Sequence, residues 1–225
     1  MKVIAIEHKF ENGQSIDSYL PKVEEALKYG ADIIVGPDYG LTSFNPDGTV
    51  DFSDMNKTRA QLEKLSLESP ETLLVPGTWP VLLGWAKMGH EAPIYRNGEN
   101  FRNFAKQTNV ENSEIARQNG LIWERGSYDS NFVVHQGKKI AVEICSDHGK
   151  QPVDKDTFLE LILARDLRAG FYVGASNDDF SRYAIVNDSE NPKIEGINFR
   201  HNIHPKMTFA PEKKLNSFLT QFTLQ

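Results

Sequence analysis

The sequence predicts a single mixed α/β domain that spans residues 1–225. Three observations lead to this fold class. Short runs of β-branched and apolar residues alternate with amphipathic segments, which is the pattern of strands joined by helical crossovers. The links between these segments are short, and no linker rich in Pro and Gly divides the chain. No internal repeat is present either, so we expect one domain rather than an array.

The N-terminal segment contains the clearest strand–helix–strand pattern. Residues 2–10 (KVIAIEHKF) begin with a β-branched run and predict the first strand. Residues 15–30 place apolar side chains on one face and end at Gly30, which predicts an amphipathic helix. Residues 31–40 (ADIIVGPDYG) are apolar over their first half, which predicts a strand buried on both faces and closed by a Pro-Asp-Tyr-Gly turn.

The following segments continue this alternation, with two hairpins and a strong helical pattern after the second one. Asn-Gly and Gln-Gly pairs mark the two hairpin turns, because such pairs tolerate the positive φ angles that tight turns require. We predict, in order, a helix at 56–69, a strand at 72–79, a hairpin at 93–106, a short helix at 110–119, a hairpin at 130–145, a helix at 157–170 and a strand at 171–178. The last 45 residues are polar and weakly periodic.

Composition and charge exclude several classes of protein. A net charge of -6 argues against a general nucleic-acid binder, which would present a basic face. No apolar run approaches the roughly 20 residues of a membrane span, and the N-terminal apolar stretch is too short for a signal peptide. The single cysteine excludes an intramolecular disulfide and a zinc site built from several cysteines. We therefore expect a cytoplasmic protein in a reducing compartment.

Three reactive side chains follow the ends of predicted strands, where open α/β sheets collect their catalytic groups. Asp38 follows the second strand, Lys106 ends the first hairpin, and Cys145 ends the second. Only a small fraction of a thiol with a pKa of about 8.5 is ionised at neutral pH, so a cysteine nucleophile needs a nearby base or cation. A lysine ammonium also stabilises the oxyanion that forms when a thiolate attacks a carbonyl.

Six blocks of the sequence, three of which carry these residues, resemble, in order, the successive blocks of the nitrilase (carbon–nitrogen hydrolase) superfamily. The blocks are KVIAIEHKF, ADIIVGPDYGLTSF, LLVPGTW, NFRNFAKQT, GKKIAVEICSDHG and RAGFYVGASND. The resemblance implies a four-layer α-β-β-α sandwich, shortened at the C-terminus, and a Glu-Lys-Cys catalytic set. It places Asp38, Lys106 and Cys145 in that set. It also implies a second glutamate soon after the lysine, for which Glu114 is the best match and Glu111 and Glu124 are weaker candidates.

The resemblance further implies a hydrolase of non-peptide carbon–nitrogen bonds that acts on a small amide or nitrile through a cysteine thioester. Cys145 is the nucleophile in this interpretation, Asp38 the general base, Lys106 the oxyanion donor and Glu114 an orienting group. No cofactor or metal ion is implied, and members of the superfamily commonly form homodimers. Trp79, Tyr39 and Asp179 are candidates for contact with the substrate.

Two features of the sequence depart from the superfamily. Asp38 stands where the superfamily has glutamate, so its carboxylate is one methylene short, and a retreat of roughly 1.5 Å would break a proton-transfer contact unless the backbone compensates. The C-terminal segment is also polar where members continue with further helices and strands.

Alternative interpretations of the same residues remain open. Cysteine is among the most buried residue types, so Cys145 alone is compatible with a core position. A nitrilase-like binding protein without catalysis would keep the same blocks. Ser146-Asp147-His148 resembles the Ser-Asp-His signature of metal-dependent phosphodiesterases, although that signature normally lies near a C-terminus.

Overall fold

The computed structural model describes most of the chain. The described residues are 1–9, 11–108, 112–126, 131–147, 156–165, 181–189, 194–198, 208–209 and 212–225. Within them lie the α-helices Leu20–Leu27 (α1), Met55–Glu68 (α2) and Asn112–Gln118 (α3), and the short 3-10 turns Ile16–Ser18 and Cys145–Asp147. The strands are Lys2–Ile6 (β1), Ile33–Val35 (β2), Ser43–Phe44 (β3), Val50–Asp51 (β4), Leu73–Val75 (β5), Trp79–Leu82 (β6), Lys87–Arg96 (β7), Glu99–Ala105 (β8), Ile122–Trp123 (β9), Phe132–His135 (β10), Lys138–Ile144 (β11), Thr157–Ala164 (β12), Ser181–Asp188 (β13), Ile194–Asn198 (β14), Thr208–Phe209 (β15), Glu212–Lys214 (β16) and Leu219–Thr223 (β17).

The first sheet is built around three short parallel strands. Its order is β16-β17-β1-β2-β5-β7-β6, and β8 and β9 also pair with β7. β1, β2 and β5 run parallel, whereas β17 and β7 flank them in the antiparallel direction. All three residues of β2 and of β5 are buried, as expected for strands covered on both faces. The carboxyl ends of β2 and β5 therefore lie side by side, and the loops that follow them meet.

The second sheet has a similar plan. Its order is β10-β11-β12-β13-β14-β15, with β11, β12 and β13 parallel and the outer pairs antiparallel. Cys145 directly follows β11, which brings it to the carboxyl end of this sheet.

The two sheets pack face to face, and helices cover the outer face of the first. One buried cluster joins β1, β2 and β5 to β11, β12 and β13 and fills the space between the sheets. A second cluster joins α1 and α2 to the opposite face of the first sheet. On β12 and β13, Ile162, Ala164, Ala184 and Val186 form a separate cluster on the other face of the second sheet, which is buried as well. The predicted mixed α/β fold is confirmed.

The hairpins and the first two helices agree with the sequence, but one prediction for the C-terminal part is wrong. Residues 157–164, predicted as the start of a helix, are strand β12. This segment (TFLELILA) is apolar at most positions, so its pattern fits a buried helix and a buried strand equally well. Parallel partners on both sides, β11 and β13, decide in favour of the strand. The strand predicted at 171–178 lies outside the described residues.

The polar C-terminal segment also contributes to both sheets. β13 lies inside the second sheet, and β17 pairs with the whole of β1 from Lys2 to Ile6. Among the residues that the structure describes, no helix has the length and apolar character needed to span a bilayer.

Candidate active site

Two glycine-containing loops, after β2 and after β5, form one wall of the candidate site. A Cβ on Gly36 would lie 2.2 Å from the Pro76 carbonyl oxygen, and a Cβ on Gly77 would lie 2.7 Å from the Pro37 carbonyl oxygen. Gly77 also has a φ of 123°, which side chains rarely tolerate. The two loops therefore approach so closely that only glycine fits at these positions.

The close approach places Asp38 against Thr78. Asp38 is 1% exposed, and its Oδ1 accepts a hydrogen bond of 2.5 Å from the Thr78 hydroxyl. The backbone N–H of Tyr39 donates to Thr78 Oγ1 at 2.7 Å and lies 3.2 Å from Asp38 Oδ1. His90 Nε2 lies 3.2 Å from the same oxygen. Asp38 Oδ1 is therefore held by three neighbours.

The other carboxylate oxygen faces Lys106. Asp38 Oδ2 is buried without a hydrogen-bond partner among the described residues, and Lys106 Nζ lies 3.9 Å from it. Lys106 is 2% exposed, and its backbone N–H donates to the His90 carbonyl oxygen at 2.8 Å, which continues the β7–β8 ladder. The structure thus brings Asp38 and Lys106, two of the three predicted residues, together. Oδ1 of Asp38 is fixed by its neighbours, whereas Oδ2 faces Lys106 without a hydrogen bond.

The charges around Asp38 determine its ionisation. Burial alone raises the pKa of this carboxyl, but the charges of His90 and Lys106 and the hydrogen bonds from His90 and Thr78 outweigh burial and lower the pKa to about 2. Because the folded-state pKa lies below the ordinary 3.8, ionised Asp38 stabilises the fold above about pH 4 and loses that contribution as the pH falls further. Acid unfolding of wild type compared with Asp38→Asn measures this contribution to stability.

A second layer of polar groups surrounds His90, and sequence reasoning did not identify it. His90 Nδ1 lies 3.1 Å from Asn112 Oδ1, and the Tyr39 hydroxyl donates to the same oxygen at 2.8 Å. The Tyr39 ring lies 4.5 Å from the His90 ring, centroid to centroid. The sequence offers no direct signal for His90, because a register shift in the β7–β8 hairpin, between Ile94 and Tyr95, brings this residue opposite Lys106.

Cys145 lies across the space between the sheets, at the end of β11. It is 7% exposed and belongs to the inter-sheet core cluster. Its φ is 49°, a left-handed conformation that a non-glycine residue adopts at a cost and that often marks functional positions. Its Sγ lies 3.4 Å from the Arg165 carbonyl oxygen and contacts it as a donor. The strand end and the left-handed turn together set the direction of this thiol.

Asp147 ties the cysteine turn to the lysine loop. Its two carboxylate oxygens accept the backbone N–H groups of Gln107 at 2.8 Å and Thr108 at 2.7 Å, directly after Lys106. The hydroxyls of Ser146 and Thr108 also contact each other. Burial raises the pKa of Asp147 despite these hydrogen bonds. The carboxylate of Asp147 is thus occupied with holding two backbone segments together.

The other predicted site residues have different surroundings. Glu114 lies on α3 with its side chain 53% exposed and pairs with Arg117 at 2.6 Å. Glu124 pairs with Lys87 near the surface. Trp79 is buried in the cluster between the first sheet and its helices, with Arg59 over its ring. Asp179, Glu111 and His148 lie outside the described residues. None of the described residues form a group of three or more carboxylate, histidine or cysteine side chains that would hold a metal ion.

Comparison with known proteins identifies the fold. No family model matches the chain, and no curated protein matches it. Solved structures do match. The NitN amidase from Nesterenkonia sp. AN1 aligns with 100% of this chain and 93% of its own length, with 12% sequence identity and a TM-score of 0.70. A cysteine-to-alanine mutant of the Nesterenkonia AN1 amidase, described as from the nitrilase superfamily, covers 99% of this chain and 89% of its own at 12% identity and a TM-score of 0.72.

A third structure shows a cysteine mutant of the same amidase in complex with butyramide. It covers 99% of this chain and 90% of its own length, at 12% identity and a TM-score of 0.69. The chain therefore has the fold of nitrilase-superfamily amidases over its whole length, which confirms the resemblance found in the sequence at the level of the fold.

Proposed function

We propose that this protein hydrolyses the carbon–nitrogen bond of a small amide, with Cys145 as the nucleophile. The observation that carries the proposal is the buried contact between Asp38 Oδ2 and Lys106 Nζ, 3.9 Å apart, in a fold shared with amidases. A buried carboxylate oxygen without a hydrogen-bond partner costs free energy. Such a cost is expected where the oxygen accepts and returns a proton during catalysis.

The reaction runs in two halves. The thiol of Cys145 gives its proton to Asp38 Oδ2, and the thiolate attacks the amide carbonyl carbon. The electron pair of the carbonyl bond moves to oxygen, where the Lys106 ammonium stabilises the negative charge. Collapse of this intermediate expels the amine or ammonia, which takes the proton from Asp38 and leaves a thioester. Water then loses a proton to Asp38, attacks the thioester and releases the acid and the thiol.

The low pKa of Asp38 requires that the thiolate be stabilised as well. A carboxyl of pKa about 2 is a weak acceptor for the proton of a thiol whose ordinary pKa is about 8.5. The same cation that lowers the pKa of Asp38, Lys106, also stabilises a thiolate at the end of β11.

We propose short aliphatic amides as the substrates. Mutants of the Nesterenkonia amidase have been described in complex with butyramide and with the acetamide moiety of fluoroacetamide added covalently at the active-site cysteine. Small substrates also fit a site whose three proposed catalytic residues are each at most 7% exposed. Within this proposal Tyr39 contributes to one wall of the site.

The cytoplasmic location, the single domain over residues 1–225 and the homodimer stay predictions, and sedimentation analysis tests the last of these.

The test is ammonia release from acetamide, propionamide and butyramide, together with intact mass after incubation with fluoroacetamide. We expect turnover by the wild type, a covalent adduct on Cys145, and neither with Cys145→Ala. A folded wild type that releases no ammonia from any of these amides and forms no adduct would exclude the amidase and favour a nitrilase-like binding protein.

A further inference from the structure

His90 is the most enclosed ionisable ring of the candidate site, and no catalytic step above uses it. Its side chain is 0% exposed, and it lies on β7 opposite the start of the Lys106 loop. Both ring nitrogens have polar neighbours, and these neighbours determine which nitrogens carry a proton.

Nε2 carries a proton because the Thr78 hydroxyl has no proton to offer it. Thr78 has one hydroxyl proton, and Asp38 Oδ1, only 2.5 Å away, can accept but not donate when ionised. The Thr78 hydroxyl also accepts the backbone N–H of Tyr39. His90 Nε2, which lies 2.7 Å from Thr78 Oγ1, must therefore be the donor in that contact.

Nδ1 carries a proton because its neighbour is an amide oxygen. Asn112 Oδ1, 3.1 Å from His90 Nδ1, is an acceptor that already receives the Tyr39 hydroxyl. The orientation of the Asn112 amide follows from its own nitrogen, which donates to the Thr108 carbonyl oxygen at 3.4 Å. All the contacts are satisfied only when both nitrogens of His90 donate.

We propose that His90 is a buried imidazolium and acts as the positioning residue for Asp38. It holds Oδ1 together with Thr78, and so directs Oδ2 towards Lys106 and the reacting atoms. The proposal deepens and rests on the proposed function, but its protonation state is measurable without any substrate.

The charges of the surrounding elements are consistent with a cation at this position. Asp38 lies on the loop after β2 and Lys106 at the end of β8, while Arg165, at the end of β12, has its guanidinium 5.7 Å from the Tyr39 ring. α3 contributes the neutral Asn112. With His90 charged, Asp38 faces two cations, so the cluster formed by Asp38, Lys106 and His90 has a formal charge of +1. Once Asp38 has taken the proton of the Cys145 thiol, Lys106 and His90 remain as two cations that stabilise the thiolate and then the tetrahedral oxyanion.

The contacts with Thr78 and His90 help to position Asp38, which is shorter than the glutamate of the superfamily. The Asp38 carboxylate lacks one methylene, so its reach depends on where the backbone and its hydrogen-bond donors fix it. Besides the Thr78 hydroxyl and the Tyr39 N–H, Asp38 Oδ1 has His90 Nε2 at 3.2 Å. The proton on Nε2 is directed at Thr78 Oγ1, so the imidazolium restrains the carboxylate by fixing Thr78 and by the attraction between its own charge and the carboxylate.

The first test is NMR of the ring nitrogens in protein labelled with ¹⁵N-histidine, between pH 5 and 9. His90→Gln assigns the His90 signals, and Asp38→Asn removes the anion. At pH 7 we expect both His90 nitrogens to be protonated in the wild type and the ring to be neutral in Asp38→Asn. His8 is the internal control, because burial lowers its pKa to about 4 and its Nδ1 lies 3.2 Å from the Lys22 ammonium. A His90 ring with a single protonated nitrogen at pH 7 in the wild type overturns the proposal.

The second test separates positioning from folding. We expect His90→Gln to lower kcat for butyramide at least tenfold with KM within about threefold, and to slow alkylation of Cys145 by iodoacetamide. His135→Gln, at a buried histidine of β10, should change neither rate.

The two tests also distinguish this proposal from the proposed function. If the wild type hydrolyses no amide but His90 is an imidazolium that controls Cys145 alkylation, only the amidase assignment fails. If His90→Gln remains folded and retains the wild-type kcat and alkylation rate, the positioning role is wrong even for an active amidase.

Discussion

The two halves of the candidate site are built in different ways. On the first sheet, Asp38 and Lys106 are held by a network of hydrogen bonds that extends through Thr78 and His90. On the second sheet, Cys145 is oriented mainly by its backbone, through the end of β11 and a φ of 49°. Ionised groups in a dry interior need partners to offset desolvation. A thiol is a weak donor with little desolvation cost, so the direction of the backbone is sufficient to place it.

From this comparison we expect changes of charge to lower activity most in the first half of the site, and changes of backbone geometry to lower it most in the second half. Asp147 is the connection between the halves, because it begins on the cysteine turn and ends on the lysine loop. Substitutions in each half, and in the connection, therefore test different parts of the arrangement.

The largest effect is expected for Lys106→Met, which keeps an unbranched side chain one atom shorter and removes its charge. Loss of one oxyanion donor typically lowers turnover by about 10² to 10³, and we expect a fall of that order in kcat/KM for butyramide. Circular dichroism checks that the variant is folded. Lys87→Met is the matched control, since Lys87 is half-exposed and pairs with Glu124, which directly follows the neighbouring strand β9. Turnover within fivefold of wild type would remove Lys106 from the mechanism.

Asp38→Glu tests whether the first half is shaped for the shorter acid. Oδ1 of Asp38 has neighbours at 2.5 and 3.2 Å, so a carboxylate displaced by roughly 1.5 Å collides with Thr78 or His90. We expect kcat to fall tenfold or more. Asp17→Glu, at an exposed aspartate of the first 3-10 turn, should leave it unchanged. Higher turnover in Asp38→Glu would mean that Asp38 records the loss of an ancestral glutamate.

The sequence predicted the members of the two halves more readily than the network between them. Asp38 and Lys106 follow strands whose local patterns are clear, and their blocks are similar to those of a known superfamily. Residues 157–164 were predicted wrongly because a continuous apolar run has no period that distinguishes a helix from a buried parallel strand. The neighbours of that segment, β11 and β13, decided its structure, and they are remote in sequence.

His90 shows why the network itself was not predicted. A regular hairpin turning at Asn97-Gly98 pairs residues 90 and 105, one residue short of Lys106. The observed register shifts by one between Ile94 and Tyr95, and this irregularity places His90 opposite Lys106. A bulge of one residue moves every side chain beyond it relative to the partner strand. Nothing in the local sequence marks the position of this bulge.

Asp147→Asn tests the connection between the halves. An asparagine offers one oxygen where two backbone N–H groups need acceptors, so one N–H loses its partner, at a cost of about 1–3 kcal/mol in the free energy of unfolding. We expect amide hydrolysis and Cys145 alkylation to slow severalfold. Asp51→Asn is the control, because Asp51 accepts the backbone N–H of Ser53 on a separate two-stranded sheet.

The pH dependence of this variant provides a second check. Burial raises the pKa of Asp147, so the folded wild type takes up this proton before an ordinary aspartate would as the pH falls. A protonated Asp147 resembles asparagine in having lost acceptor capacity. The difference in alkylation rate between wild type and Asp147→Asn should therefore shrink on acidification, and a difference that grows instead would show that Asp147 does not act through these hydrogen bonds.

The smallest effect is expected for Glu114→Gln, although the superfamily resemblance assigns this glutamate a place in the site. Its side chain is half-exposed and bound to Arg117 on the same helix, and exposed pairs of this kind contribute little to stability. We expect kcat/KM within twofold of wild type and an unchanged melting temperature.

Asn112→Ala, two residues earlier on α3, provides the contrast. It removes the acceptor shared by Tyr39 and His90 and should lower kcat about tenfold. The opposite result, loss of activity in Glu114→Gln and full activity in Asn112→Ala, would contradict this assignment. It would mean that the exposed face of α3 contacts the substrate and that the contacts of Asn112 with Tyr39 and His90 are not needed for catalysis.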